Sequence, residues 1–270
     1  MIAGKTWREI RWMTLVYVII FEALAIPVLL LWPDLYNEFQ KSTLFQSLPI
    51  HFLKRIAEGV SDKNEEIAYI NWCAVMLFFR SVNLVGLAGA VLFGTALFAR
   101  ERETRTLEFL LARPVSRLSI LWQKSWPTIL AVLVPIFLVN WSAILWSSSI
   151  GYELPFREVT YASLHGASFV LMFLGFTTWL SVRCRTQAHV AFWVGGITIV
   201  MLGAYMTQRV RPYSLFRLSD FEWYSPILAG NVKLWQMFDP IRAQGFTTYV
   251  LVAAAVFYVL AWRDLRRLEL

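Results

Sequence analysis

Residues 126–147 read WPTILAVLVPIFLVNWSAILWS, 22 residues without one charged side chain. As an α-helix at 1.5 Å per residue this stretch is about 33 Å long, enough to cross the roughly 30 Å hydrocarbon layer of a bilayer. Lipid offers a peptide group no hydrogen-bond partner, so a crossing segment is either a helix or a strand of a closed barrel. Barrel strands alternate polar and apolar residues over about ten positions, whereas this stretch is continuously apolar. Five further blocks of the same kind lie at about 13–32, 80–99, 161–181, 188–206 and 246–262. The chain is 58% hydrophobic and 16% charged, against about half and about a quarter for a soluble domain. The expected fold is an all-α membrane protein: one transmembrane domain over residues 1–270 with six transmembrane helices.

The net charge of +7 is distributed as a topology signal and does not point to nucleic acid. Segments on the N-terminal side (1–12, 100–125, 182–187, 263–270) hold 14 Lys/Arg against 6 Asp/Glu. Segments on the other side (33–79, 148–160, 207–245) hold 10 against 11. Basic residues concentrate on the cytoplasmic side of membrane proteins, so both termini are expected in the cytoplasm. Cys73 and Cys184 then fall on opposite sides and cannot pair. Lys5, Arg8 and Arg11 before an apolar run resemble a signal peptide. The run is about 20 residues long without a small-residue cleavage site, which predicts an uncleaved first span.

Around the spans, residues 4–12 have the pattern of a short interfacial helix. Leu44, Leu48, Phe52 and Ile56 recur every four residues, predicting an amphipathic extracytoplasmic helix. Residues 65–99 exceed one crossing, so this helix should project outward beyond Arg80. The outer segment 207–245, with Trp223, Tyr224, Trp235 and Phe238 among prolines and charges, suits short interfacial or re-entrant helices.

The most informative segment is 99–117, highly charged at its start: ARERETRTLEFLLARPVSR. Leu107, Leu110 and Leu111 stand at i, i+3 and i+4, an apolar stripe on a short helix over about 101–113, which Pro114 should stop. Such a helix with a charged collar reads either as a docking element for a soluble partner or as an ordinary membrane-proximal loop. The segment resembles the signature region of ABC-2-type permeases, the membrane subunits of ATP-binding-cassette exporters. That family shows Glu-x-Glu-x-Gly-Thr-Leu-Glu-x-Leu-Leu-x-x-Pro-Val-Ser-Arg after its second span. Glu101, Glu103, Thr106, Leu107, Glu108, Leu110, Leu111, Pro114, Val115, Ser116 and Arg117 match in register, and Arg105 stands at the usual glycine. The resemblance implies a coupling helix seated on a separate ATPase, which would carry the ATP and Mg. It implies a second permease subunit, identical or not, and a place in the plasma (bacterial inner) membrane. On this reading Leu107, Leu110 and Leu111 supply buried contact to the ATPase, while Glu101 and Glu103 pair with its basic groups.

Chemistry of the chain's own is not expected. There is no G-x-x-x-x-G-K-[ST] phosphate loop, no H-E-x-x-H and no G-x-S-x-G. His51, His165 and His189 lack metal-ligand spacing, so no cofactor or metal is expected here. Glu22 in the first span reads either as a pathway group or as a packing acid, and Arg80 as a residue snorkelling outward or contacting cargo. Two other classes stay open on the residues alone: an ion- or proton-coupled secondary transporter, and a non-transporting scaffold that transmits force.

Overall fold

The computed structural model describes residues 2–41, 51–112, 114–240 and 246–268, helical almost throughout and without a strand among those residues. In chain order the elements are α1 (Ile2–Leu30), α2 (Trp32–Lys41), α3 (His51–Val60), α4 (Glu65–Cys73), a π-wound stretch (Ala74–Val85) and α5 (Gly86–Glu103). Then come α6 (Leu107–Leu111), α7 (Arg117–Ser149), α8 (Phe156–Arg183) and α9 (Gln187–Met206). Two short 3-10 turns (Arg211–Tyr213, Leu215–Ser219) lead to α10 (Phe221–Leu228), α11 (Leu234–Phe238) and α12 (Phe246–Arg266). α4, the π-wound stretch and α5 form one continuous rod of 39 residues. Six helices are long and apolar enough to cross a membrane: α1, this rod, α7, α8, α9 and α12. The chain is an all-α membrane protein, and its spanning helices fall where the apolar blocks lie.

Local signals set the helix starts. The Asn64 side chain accepts from the amides of Glu66 and Ile67, with Glu65 and Glu66 in the first turn, satisfying orphan donors and complementing the helix dipole. Ser116 caps α7 through the amide of Ser119, and Thr186 caps α9 through that of His189. Pro33 sits in the first turn of α2, where a missing N–H costs nothing.

The rod and α8 form the interior, while α1, α9 and α12 present most of their surface outward. α8 packs against α12, α5 and α7, and α1 lies along α7. Without a hydrophobic drive inside lipid, such contacts depend on close approach at small residues. A Cβ on Gly94 would stand 2.7 Å from Cγ2 of Thr177 on α8, and one on Gly166 2.7 Å from Cγ1 of Val82. The Ser181 hydroxyl reaches from α8 into the backbone of α5, accepting from the amides of Phe98 and Ala99 at 3.1 and 2.9 Å and donating to the Thr95 carbonyl at 3.2 Å.

Residues 4–12 are not a separate helix. α1 runs unbroken from Ile2, with Ile2, Thr6 and Ile10 buried and Trp7 and Trp12 exposed. Of the four-residue repeat, Leu44 and Leu48 lie outside the described residues, and α3 carries Phe52 and a half-buried Ile56. The rod continues past Arg80 to Glu65, as its length predicts. The segment after α9 folds onto the rod instead of trailing from it. Asn83 donates to the Ser219 carbonyl and accepts from its hydroxyl, both at 2.8 Å. His165 bonds Thr247 and the Leu218 carbonyl. Arg211 pairs with the buried Asp220 and with Glu222, which also holds Arg55 of α3.

Gly94→Ala should force the α5–α8 contact apart and cost about 1–3 kcal/mol of stability, read as a lower melting temperature in detergent. Adding Thr177→Gly, which removes both the Cγ2 at 2.7 Å and the Cβ at 2.9 Å, should recover part of the loss. An unchanged melting temperature in the single variant would show that the crossing tolerates a side chain.

Candidate functional site

The turn between α5 and α6 begins as a helix terminus. The Thr106 amide bonds the Glu101 carbonyl at 2.8 Å and the Arg105 amide bonds the Arg102 carbonyl at 3.1 Å. This pair of reversed bonds closes a helix when the residue after its cap adopts the left-handed conformation. That residue is Arg105, with φ of 56°, the one non-glycine residue with positive φ among the described residues. Left-handed backbone costs an L-residue about 1–2 kcal/mol and glycine little. The geometry thus accounts for the glycine of the resembled pattern.

α6 is shorter than the span of about 101–113 expected for the coupling helix. It covers Leu107–Leu111, Glu101 and Glu103 belong to the end of α5, and Arg113 lies outside the described residues. Termination comes before Pro114: the Arg117 guanidinium donates to the Leu111 carbonyl at 2.9 Å, a cation at a helix C-terminus.

The faces of α6 are reversed from the expectation. Leu107, Leu110 and Leu111 are buried inside this chain, in a compact apolar cluster with Leu97 and Phe98 of α5, Ile120 and Leu121 of α7, Val182 of α8, Leu265 of α12 and Ile2 of α1. An apolar stripe seeks the nearest dry surface, and here the ends of five spanning helices provide it. What α6 presents outward is Phe109, 78% exposed, beside the exposed Glu108, Ala112 and Val115.

The charged collar is likewise engaged internally. Lys124 Nζ lies 2.7 Å from Glu101 Oε1, with side chains only 5% and 14% exposed, and 5.5 Å from the Phe98 ring centroid. The other carboxylate oxygen, Glu101 Oε2, is buried without a hydrogen-bond partner among the described residues. Arg102 donates to the Arg183 and Cys184 carbonyls at 3.0 and 3.2 Å, at the C-terminal end of α8. The Glu103 carboxylate accepts from the Gln187 amide at 3.4 Å, at the N-terminal end of α9. Cation at a C-terminus and anion at an N-terminus satisfy the groups a helix leaves orphaned. Burial raises the pKa of the neighbouring Cys184 thiol, with Arg102 and Arg183 opposing it. The expectation that Glu101 and the leucines meet a partner is therefore corrected: they fasten α6 and its turn to their own bundle. Thr106 is exposed and bonds the Glu101 carbonyl through its hydroxyl at 3.3 Å.

Lys124 is the residue that sequence reasoning missed, grouped with the loop charges. Its signal was available, because Ile120, Leu121, Lys124, Thr128 and Ala131 form one buried helical stripe on α7. Glu22 accepts the Ser142 hydroxyl of α7 on both oxygens, at 2.8 and 3.0 Å, so it joins α1 to α7. Arg80 is half-buried and makes no ion pair or hydrogen bond among the described residues. At the opposite end of the bundle a hollow of about 800 Å³ is lined by Glu65, Glu66, Glu153 and Glu158. Tyr152 donates to Glu65 and Arg157 to Glu158, and no group of metal-ligating side chains converges among the described residues.

Six spanning helices, with α8 the most buried among them and one short helix slung between two of them, define a multi-pass helical membrane protein. The profile of the ABC-2 family transporter proteins matches residues 1–211, 211 of the 270 residues, and the chain belongs to that family. The match runs through α9, leaving α10–α12 beyond it. Among curated proteins none matches the chain.

Lys124→Ala should cost about 3–5 kcal/mol by leaving the Glu101 charge buried and unpaired, whereas Glu101→Leu with Lys124→Leu should recover much of it; thermal unfolding in detergent measures both, and equal melting of all three proteins would dismiss the pair. Arg105→Gly should gain about 1 kcal/mol by relieving the left-handed backbone. Arg105→Ala, which keeps that strain, should gain nothing.

Proposed function

We propose that this chain is the permease subunit of an ATP-driven exporter and that the outer face of α6 docks on a separate ATPase. The ATPase would bind the ATP and Mg, and the working unit would contain a second permease subunit. On this reading α6 and both termini face the cytoplasm, in the plasma (bacterial inner) membrane. The observation that carries the proposal is the exposure of Phe109 on a stub rigidly held from behind. A large aromatic side chain in water, flanked by Glu108 and Val115, has the makeup of an anchor for a partner's apolar pocket.

The arrangement also gives the force a route. A push on Phe109 would be carried by Leu107, Leu110 and Leu111 into the apolar cluster, and so into α1, α5, α7, α8 and α12 together. The Glu101–Lys124 pair joins α5 to α7 at the same level. Tilting these helices about the close contacts at Gly94 and Ser181 would open and shut a pathway between subunits. A secondary transporter would need several ionisable groups near midplane. Glu22 is one acid, and its hydrogen bonds to Ser142 fit packing.

Phe109→Ala should leave the melting temperature unchanged while weakening co-purification of the ATPase from membranes more than tenfold, the scale of an interface anchor worth about 2 kcal/mol. A photo-crosslinking residue at the same position should capture that ATPase. Undiminished co-purification together with undiminished ATP turnover would overturn the docking face.

A further inference from the structure

The hollow of about 800 Å³ at the end of the bundle away from α6 is framed by four elements: the first turns of the rod, the α7–α8 loop, the start of α8 and the end of α10. Its volume is that of a site for a ligand of many atoms. Four carboxylates line it, those of Glu65, Glu66, Glu153 and Glu158, and no basic residue of the described chain does. Like charges gathered in a cleft repel one another and focus a field that draws cations.

Glu158 is the deepest of the four, only 6% exposed. Two donors of Arg157, Nε and Nη2, both fall on its Oε1, at 2.9 and 2.6 Å, from a side chain that is itself 71% exposed. Oε2 accepts no hydrogen bond among the described residues, yet it is not sealed from outside. The little surface that Glu158 keeps lies on the wall of the hollow. A nearly buried carboxylate oxygen without a donor is costly, so the hollow calls for a donor at that point. Glu66 and Glu153 are exposed and make no ion pair among the described residues, while Tyr152 donates to Glu65. A hard metal ion gathers six or more oxygens within about 2.6 Å, and no group of three ligating side chains converges among the described residues. The charges are instead spread around a wall that also carries Ile70, Ile150 and Pro155, with the Tyr69 and Tyr152 rings stacked at 4.4 Å. A linear polyamine has the complementary makeup: ammonium donors set apart by methylenes that apolar walls can cover.

We propose that this hollow binds one polyamine from the side of the membrane opposite α6. One ammonium would donate to Glu158 Oε2, the others would meet Glu66 and Glu153, and the methylenes between them would lie along Ile70 and Ile150. The proposal does not rest on ATPase docking, since the hollow and α6 lie at opposite ends of the bundle and binding is measured on this chain alone.

The test is isothermal titration calorimetry of the purified chain in nanodiscs of zwitterionic lipid, with spermidine, butylamine and Mg²⁺ as separate probes. Wild type should bind one spermidine saturably and butylamine far more weakly, and an equal concentration of Mg²⁺ should not displace the spermidine. Glu158→Gln should weaken spermidine about tenfold, the weight of one hydrogen bond to a charged group. Glu58→Gln on α3 makes the same change of charge away from the hollow and should leave the affinity as it was. Melting curves show which variants are folded. Should Glu158→Gln not fold, Glu66→Gln combined with Glu153→Gln, both at exposed positions, should still weaken spermidine severalfold. Absence of saturable binding, displacement by Mg²⁺, an unchanged affinity in the folded hollow variants, or an equal loss in Glu58→Gln would overturn the proposal.

Discussion

Inside hydrocarbon a peptide N–H or C=O finds no partner except another group of the protein, and each one left unmade costs several kcal/mol. The rest of the structure follows from that constraint. It makes every crossing a helix and allows an irregular ladder only where the chain supplies a substitute. Ser181 adds a partner within the bundle, placing its hydroxyl against the α5 backbone at Phe98 and Ala99. The π-wound stretch Ala74–Val85 is a tolerated irregularity, sheltered among α8, α1 and α10. Irregular winding of this kind is uncommon and tends to mark functional segments. Here it lies where the outer segments are tied on through Asn83.

At the other end of the bundle the governing demand is different. The helices emerge into water with orphaned carbonyls and amides, and the loop after α5 is built to meet them. Arg102 closes the end of α8, Glu103 the start of α9 and Arg117 the end of α6. Glu101 turns inward to Lys124. The leucine stripe seals the junction. A helix of only five residues has no independent stability, so α6 exists because its leucine face is packed on the bundle and its C-terminal end is held by Arg117.

The spans were legible from the residues because hydrocarbon thickness and helix rise translate directly into a count of apolar positions. So was the extension of the rod beyond Arg80, from sheer length. The loop after α5 was legible as a motif but not in its orientation. Periodicity shows that Leu107, Leu110 and Leu111 share a face, and it says nothing of whether that face meets a partner or its own bundle. The charges at 103 and 102 read as a collar for a partner because the groups they meet in the fold are far away in sequence: Gln187 is 84 residues from Glu103, and Arg183 is 81 from Arg102. The π-wound stretch left no mark in composition, since it depends on neighbours brought by the fold. Arg105 illustrates the opposite case. Its left-handed backbone explains the glycine that the resembled pattern carries at that position.

The sealing of Glu101 and Lys124 has a practical consequence. Mobile ions weaken attractions between charges that water can reach and leave enclosed ones nearly untouched, with a reach of about 8 Å at physiological ionic strength. Concentrated salt, the usual means of stripping peripheral proteins from membranes, therefore acts on Glu108 and Arg105 at the surface but not on the clamp behind them. A salt-washed preparation retains the stub in its original seat.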